Sequence, residues 1–398
     1  MTTSSGPWRR AADAAGLLSE RGDVAPTIFA EMSALAAATG AINLGQGFPD
    51  EDPPAEVLAE AREAIARGEN QYPPGRGAVG LREAIARHQA HHYGIAVDPD
   101  REVLVTAGAT EALSATLLAL VEPGDEVVVF EPFYDAYAAI IALAGAQLVP
   151  VPLEWPDFQP GLDRLADAVG DRTRAILVND PHNPTGAVFS PDVRELIVRL
   201  AERHDALIVT DEVYEHLVFD GSHTPIASLP GARERTVSIS SGGKTFRATG
   251  WKIGWLTAPQ DLVTAVQTVK QYLTFTGGAP FQPAVARGLG LPDAFFEETA
   301  RDMGRKASVL GDGLRAAGFA ISPPSATYFT VADVDDDAVA FCRALPERAG
   351  VVGIPLTAFA SAAHRERYAT LVRFAACKRI EVLEEAADRL AQLRGSTR

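Results

Sequence analysis

The sequence predicts an α/β fold: a large domain built on a mostly parallel central sheet, followed by a smaller α+β domain. Three observations lead there. From about residue 100, short β-branched runs alternate with helical patterns, and such alternation implies parallel strands joined by right-handed crossovers. Runs such as Val127-Val128-Val129-Phe130 and Leu207-Ile208-Val209 are apolar at every position, as strands covered on both faces are. After about residue 290 the alternation stops.

Taken in order, helical patterns cover residues 60–67 and 81–91. The β-rich runs place strands at 102–105, 126–130, 147–150, 174–179, 206–210, 235–240 and 255–258. Apolar spacing of three and four residues places helices at 110–121, 134–144, 162–169, 193–204 and 262–272. A long helix at 294–317 then precedes strand-like runs at 328–331 and 371–374 and a final helix at 379–393. Residues before 44 lack strong strand signals. The expected division is an arm with part of the small domain over 1–45, the large domain over 46–290 and the small C-terminal domain over 291–398.

Composition removes several function classes. With 398 residues, 47% of them hydrophobic and 22% charged, the chain buries a large core without staples. The net charge of −16 disfavours nucleic acid, which needs a basic face. No run of apolar residues is long enough for a membrane span. Arg9 and Arg10 precede an apolar stretch that Asp13 interrupts, so residues 1–26 read as a mobile arm rather than a signal peptide. The only cysteines, Cys342 and Cys377, form neither a disulfide framework nor a Cys-x-x-Cys pair, which points to a reducing, cytoplasmic compartment.

Three local patterns mislead. Gly75-Arg76-Gly77-Ala78-Val79-Gly80 fits Gly-x-Gly-x-x-Gly, but Tyr72-Pro73-Pro74 precedes it where a dinucleotide site needs a strand. It reads as a turn opening the helix at 81–91. His88, His91 and His92 share a helical face, yet no carboxylate or thiol stands at ligand spacing; they read as a solvated face, and no metal is expected. Gly242-Gly243-Lys244-Thr245 ends like a phosphate-binding loop whose first glycine is missing.

The positions that carry chemistry fall at strand ends, where open α/β sheets bind ligands. Asp211 closes a wholly apolar strand and needs a cation there; Tyr214 follows three residues on. The next strand runs into Ser240-Ser241-Gly242-Gly243-Lys244, small residues that let backbone approach a ligand, then an amine. A partly desolvated lysine, or one beside a cation such as Lys252, becomes a nucleophile toward aldehydes. Asn183-Pro184-Thr185-Gly186 is a turn offering an amide at the same edge. Thr106-Ala107-Gly108-Ala109-Thr110 opens a helix whose N-terminus suits a phosphate, and Tyr134 follows a strand end where an aromatic stacks on a flat ring. One ligand uses all of these. Pyridoxal 5′-phosphate has an aldehyde, a basic ring nitrogen, a phenolic oxygen, a phosphate and a flat face.

These segments resemble the fold-type I, class I/II aminotransferase family of pyridoxal-phosphate enzymes over nearly the whole chain, from about residue 27 to 393. The resemblance is carried by Asn43-Leu44-Gly45-Gln46-Gly47-Phe48-Pro49-Asp50, Gln71-Tyr72-Pro73-Pro74-Gly75, Glu131-Pro132-Phe133-Tyr134-Asp135, Pro181-His182-Asn183-Pro184-Thr185-Gly186 and Thr210-Asp211-Glu212-Val213-Tyr214. Ser241-Gly242-Gly243-Lys244-Thr245-Phe246, Thr249-Gly250-Trp251-Lys252-Ile253-Gly254-Trp255 and Val372-Arg373-Phe374 complete it. Within the family, some motifs resemble the kynurenine/glutamine/methionine group and others the N-succinyldiaminopimelate aminotransferases.

The resemblance implies a role for each residue. Lys244 would hold the cofactor and move the proton at the substrate Cα; Asp211 would keep the ring nitrogen protonated. Asn183 and Tyr214 would hydrogen-bond the phenolic oxygen, and Tyr134 would stack on the ring. Ala109, Thr110, Ser241 and Lys252 would bind the phosphate, with Tyr72 reaching the phosphate of the other subunit of a homodimer. Arg373 would pair with the substrate α-carboxylate, helped by Gly47 and Asn183, and Phe29 would line the substrate pocket. The implied reaction moves an amino group from an amino acid, such as N-succinyl-LL-2,6-diaminopimelate, to a 2-oxo acid such as 2-oxoglutarate. The cofactor constellation is shared with alternatives: a β-lyase or a specialised biosynthetic enzyme using the same cofactor. A cofactor-binding regulator would need a DNA-binding helix-turn-helix, for which the first 26 residues leave no room.

This sequence departs from the family at Asp180, where Ser or Thr is common, and at Arg247, where a small or amide residue is common. The two either alter side-chain preference or pair with each other. Gly277 and Gly278 stand where kynurenine-type enzymes place a bulky residue and a histidine.

Overall fold

In the computed structural model, which describes residues 6–19 and 21–395, the apolar runs assemble into one eight-stranded sheet. Its strands are β1 (Val103–Ala107), β2 (Glu126–Glu131), β3 (Gln147–Glu154), β4 (Gln159–Pro160), β5 (Thr173–Asn179), β6 (Leu207–Asp211), β7 (Thr236–Ser241) and β8 (Ile253–Thr257). They lie in the order β1-β8-β7-β6-β5-β2-β3-β4. All run in one direction except β8 and β4, which are antiparallel to their neighbours. The expected mostly parallel α/β sheet is therefore present.

Alternation along each strand feeds two cores. Val128 and Phe130 pack with Ile176, Val178, Ile208 and the helix Pro191–Arg203 on one face. Val127 and Val129 pack with Leu177, Val209, Ile239 and the helices Gly108–Leu120 and Gln260–Lys270 on the other. Each such Val, Leu or Ile contributes roughly 1.5–3 kcal/mol by leaving water, which explains why β2 and β6 stay apolar between the helical layers; β7 is the exception, with Ser238 buried in its interior.

The rest of the chain forms a four-stranded antiparallel sheet, Ala320–Ile321, Phe329–Asp333, Leu371–Ala375 and Ile354–Pro355 in that order. The long helix Asp293–Ala316 packs on Ile380–Ala391. Gly313 permits this approach, since a Cβ there would lie 2.5 Å from Ala387. Near the other end of the chain, Ile42–Asn43 pairs in parallel with Val351–Val352.

Several elements differ from expectation. Two-residue strands such as Ile42–Asn43 and Ile354–Pro355 are too short to show a period. The helices Ile28–Thr39, Phe281–Leu289 and Ala338–Ala349 were not anticipated, although the first and last carry the usual cap. Thr27 accepts from the Ala30 N–H at 3.1 Å and Asp337 from the Ala340 N–H at 2.7 Å. The segment expected as an arm contains a helix, Pro7–Ala14, packed against Ala136–Ala144; residues 1–5 and 20 lie outside the described residues. Gly77, at φ +101, turns the chain against β1, where a Cβ would lie 2.3 Å from Val105, and the helix Val79–Tyr93 follows. His88 is 3% exposed, so the solvated face expected for the histidines fails at that position. No described helix is long and apolar enough to cross a membrane.

Candidate active site

The polar residues at the strand ends meet at one edge of the large sheet. There β1 runs into the helix Gly108–Leu120, β5 into Asp180–Asn183, β6 into Asp211–Tyr214 and β7 into Ser241–Lys244. Lys252 reaches the same edge from the other side. Because β8 is antiparallel, its first residues, Ile253 and Gly254, lie opposite Ala107 and Ser241, the last residues of β1 and β7.

These ends enclose a cavity of about 220 Å³ lined by Ala109, Thr110, Tyr134, Asn183, Asp211, Tyr214, Ser241, Lys244 and Lys252. The sequence placed every one of them there. Gly108, Asn179, Gly243 and Thr249 also line it and were not singled out. The volume lies below that of drug-sized pockets and suits one small ring with its substituents.

Asp211 sits at the floor of the site, 5% exposed. Its Oδ2 accepts from the Tyr137 hydroxyl at 2.6 Å, while Oδ1 is buried without a partner among the described residues. Burial pushes its carboxyl above the usual range, against the opposing pull of the Tyr137 hydrogen bond and the Lys244 charge. An unpaired buried carboxylate oxygen costs about 1–3 kcal/mol or more, so the site is incomplete until a donor or cation meets Oδ1. Tyr137 was missed because it lies on the apolar helix Ala136–Ala144, where an aromatic reads as core.

At the opposite end, Gly108 opens its helix at φ +73, and a Cβ there would lie 3.1 Å from Lys252 Nζ. Gly254 comes so close that its Cβ would lie 2.6 Å from the Ala109 nitrogen. Two absent side chains thus let an amine and a helix N-terminus share one place, an arrangement that attracts a phosphate.

Between these ends, the Lys244 amine donates to the Tyr328 hydroxyl at 3.1 Å, and Tyr328 donates to the Gly47 carbonyl at 2.6 Å. Tyr328 was not foreseen; it comes from the small sheet, 84 residues beyond Lys244. Tyr214 packs edge-on against it at 5.4 Å, and burial holds the Tyr214 hydroxyl well above its ordinary pKa.

Arg373 lies just beyond, on the small-sheet strand Leu371–Ala375 and 3% exposed. Its guanidinium is held between Phe329 and Phe359, at 4.2 and 4.4 Å from the ring centroids, with Phe29 at 5.7 Å. It donates to Asn183 Oδ1 at 3.0 Å and the Gly45 carbonyl at 2.7 Å, and its Nε has no partner among the described residues. Burial lowers its pKa to about 10, so it remains a cation at neutral pH. No carboxylate pairs with it among the described residues, and a buried guanidinium without one is a site for an anion. Gly47 must be glycine, since a Cβ would lie 2.9 Å from Phe329.

Of the residues expected to hold the cofactor, Tyr72 is the one that does not line this cavity. It is 80% exposed, edge-on to Phe275 at 5.6 Å. The departures Asp180 and Arg247 do not pair with each other. Asp180 accepts from the Phe189 N–H at 3.1 Å and faces Arg194 at 3.7 Å. Arg247 faces Glu51 at 3.5 Å, in a second cavity of about 390 Å³ that shares Lys244 and Tyr328 with the site.

Residues 39–390 match the model of the family described as aminotransferase class I and II. The chain is 50% identical over 383 residues to a probable N-succinyldiaminopimelate aminotransferase of Mycobacterium tuberculosis, covering 93% of this chain and 96% of that one. It is 38% identical over 372 residues to the methionine aminotransferase of Escherichia coli, covering 92% and 96%. Among solved structures, the N-succinyldiaminopimelate aminotransferase from M. tuberculosis superposes with a TM-score of 0.90 at 50% identity, covering 93% and 97%. The aspartate aminotransferase from Thermus thermophilus superposes with 0.85 at 32%, covering 92% and 97%.

Proposed function

This chain belongs to the class I and II aminotransferase family, and we propose that its amino donor is N-succinyl-LL-2,6-diaminopimelate and its acceptor 2-oxoglutarate. It is a pyridoxal-phosphate-dependent transaminase acting on amino and 2-oxo acids. The substrate reading is carried by 50% identity, over nearly the full length of both chains, to the relative that bears that substrate's name. The cavity of about 390 Å³ beside Lys244 supports it, because it has room for a long substrate side chain; its cations Arg247 and Lys306 are already paired with Glu51 and Asp302.

The donor set fits the cofactor: an unpartnered carboxylate oxygen at one end, an amine with a helix N-terminus at the other, and a second amine between. When bound, pyridoxal phosphate supplies an aldehyde and a protonated ring that draws electrons from the substrate Cα. We assign Asp211 Oδ1 to the ring nitrogen, Lys252, Thr110, Ser241 and the Ala109 N–H to the phosphate, and Tyr134 to the ring face. The Asn183 oxygen is committed to Arg373, so its NH₂ donates toward the phenolic oxygen, with Tyr214. Lys244 would take the proton from the substrate Cα and return it at the cofactor's aldehyde carbon, two atoms along, with Tyr328 holding its amine. Arg373 fixes the α-carboxylate and so aims the Cα–H at Lys244.

Arg373→Lys keeps the charge but loses the two-pronged geometry and the stacking between Phe329 and Phe359. A hydrogen bond to a charged group is worth about 1.5–3 kcal/mol, so kcat/KM for both amino and oxo acids should fall roughly ten- to a hundred-fold. The loss should sit mainly in KM, measured by steady-state kinetics. An unchanged KM would remove Arg373 from the carboxylate site.

We further infer a homodimer in which Tyr72 of each chain completes the other's site. Tyr72, Tyr272, Leu273 and Phe275 stand exposed together although their loop is tightly held. Lys270, 1% exposed, donates to the Gly75 carbonyl at 3.2 Å and the Phe275 carbonyl at 2.6 Å. An ordered apolar patch of this kind is a surface awaiting a partner. Sedimentation should give twice the 42.2 kDa chain mass, and Tyr72→Phe should weaken cofactor retention roughly ten- to a hundred-fold, the worth of one hydrogen bond to a charged group. A monomer with full activity would exclude the shared site. The division into a large domain over 46–290 and a small one built from both chain ends belongs to the same reading.

The substrate is tested by mixing the cofactor-loaded enzyme with single amino acids and following the visible band and the oxo acid formed. N-succinyl-LL-2,6-diaminopimelate should react with at least about tenfold higher kcat/KM than methionine or kynurenine. A preference for either would replace the substrate, and ammonia with pyruvate from cysteine conjugates would indicate elimination.

A further inference from the structure

Folding changes the surroundings of the histidines on the helix Val79–Tyr93. His216, from the segment after β6 and 128 residues from His88 in sequence, is brought onto them. His88 and His92 are one turn apart, with ring centroids 4.5 Å from each other, and His216 lies 4.8 and 5.0 Å from the two. One ring nitrogen from each of the three falls within 4.8 Å of the others. The closest pair, His88 Nε2 and His216 Nε2, is 2.6 Å apart. Two nitrogen lone pairs do not face each other at that distance unless a proton or a cation lies between them.

The surroundings suit a cation held by neutral rings. Phe296 covers one side, 4.3 Å from the His216 centroid and 5.1 Å from that of His92. Burial holds the His88 imidazole down to about 4, and it lowers His92 and His216 as well. An unprotonated imidazole is the form that ligates metals. A shared proton joins only the His88–His216 pair; a coordinated ion also takes up the nitrogen of His92, which lies within 4.8 Å of the other two.

We propose that His88, His92 and His216 bind a divalent transition-metal cation, Zn²⁺ first, with water in the remaining position. Imidazole nitrogens without thiolate select zinc, copper, nickel or cobalt over calcium and magnesium. Tetrahedral zinc with Zn–N bonds of about 2.0–2.1 Å spaces its nitrogens by about 3.3 Å, so the His88 and His216 rings part by a fraction of an ångström on binding. The ion ties the helix Val79–Tyr93 to the segment that carries Tyr214, two residues before His216. It stands outside the transfer chemistry. Its effect is on stability, and the unfolding midpoint rises with metal concentration as for any ligand of the native state.

The test uses the full-length, cofactor-loaded protein, stripped with a chelator and titrated with Co²⁺. The expected result is one equivalent of Co²⁺ giving the visible bands of a tetrahedral site, displaced by Zn²⁺, with a Zn²⁺-dependent rise in the unfolding midpoint. His88→Gln and His216→Gln should each weaken binding at least about a hundredfold, beyond the cost of losing an outer-shell partner. The half-exposed His92→Gln, which perturbs folding least, should weaken it too, while turnover persists and His91→Gln binds normally. Absence of the bands in the unsubstituted protein would mean that the two imidazoles share only a proton. Persistence of the bands in the His88 and His216 variants, or their loss in His91→Gln, would place the metal elsewhere. Either overturns the proposal.

Discussion

Lys244→Ala should abolish turnover and the visible absorption of the resting enzyme, with kcat falling at least about 10⁴-fold, the upper range of general acid–base catalysis by one group. The expectation follows from where the two amines of the cavity stand. Lys252 is pinned beside Gly108 and the helix N-terminus, too far along the site to meet both an aldehyde and a substrate Cα. Lys244 follows β7 in the middle of the site, between the cavities of about 220 and 390 Å³ that it lines on either side. Its amine rests on the Tyr328 hydroxyl, close to the carboxylate position that Arg373 defines. Lys252→Ala should behave differently, weakening cofactor retention while the visible band persists at saturating cofactor. Stopped-flow absorbance and cofactor titration separate the two; a Lys244→Ala enzyme that keeps its band and its turnover would refute the assignment.

How far the site could be read in advance depended on strand direction. Parallel strands deposit their ends at one edge, so Asp211 announces its position by standing where an apolar run stops, and Ser241 by closing the next strand. Lys252 precedes an antiparallel strand, and direction leaves no mark in hydropathy. The motif identified it as a cation, but only the register of β8 explains why it faces Gly108. Arg373 had a local sign, a lone charge within the apolar run Leu371–Ala375. Tyr137 and Tyr328 had none, because a buried tyrosine looks like any core aromatic until its hydroxyl finds a partner across 74 or 84 residues of chain. The histidines of Val79–Tyr93 failed for the same reason. Their helix pattern is polar, and what buries His88 and covers part of His92 is His216 and Phe296, distant in sequence. Elements of two residues, such as Ile42–Asn43, exist only because Val351–Val352 pairs with them.

Asp211→Asn should retain the cofactor and lose activity by more than two orders of magnitude. The substitution keeps the shape of the side chain, and the residues assigned to the phosphate, Lys252, Thr110 and Ser241, are untouched. What disappears is the charge. In the native chain Tyr137 occupies Oδ2 and leaves Oδ1, without a partner among the described residues, as the oxygen assigned above to the ring nitrogen. A carboxylate buried there holds that nitrogen protonated, because the pair of charges is stabilised where an isolated one is penalised. Burial raises the Asp211 carboxyl even against the Lys244 charge; a protonated ring directly on Oδ1 would reverse the direction, favouring the ionised form. An amide offers no charge, so the nitrogen loses its proton and the ring draws electrons poorly. A hundredfold loss is about 2.7 kcal/mol of transition-state stabilisation at 1.36 kcal/mol per tenfold, and breaking a buried ion pair costs more, about 3–5 kcal/mol. Tyr137→Phe provides the contrast. It frees Oδ2 but keeps the charge, and removing one hydrogen bond to a charged group costs about 1.5–3 kcal/mol at most, so its loss should be smaller. If Asp211→Asn were no worse than Tyr137→Phe, the carboxylate would act through its hydrogen bonds alone, and the charge assigned to it would have no part in the reaction.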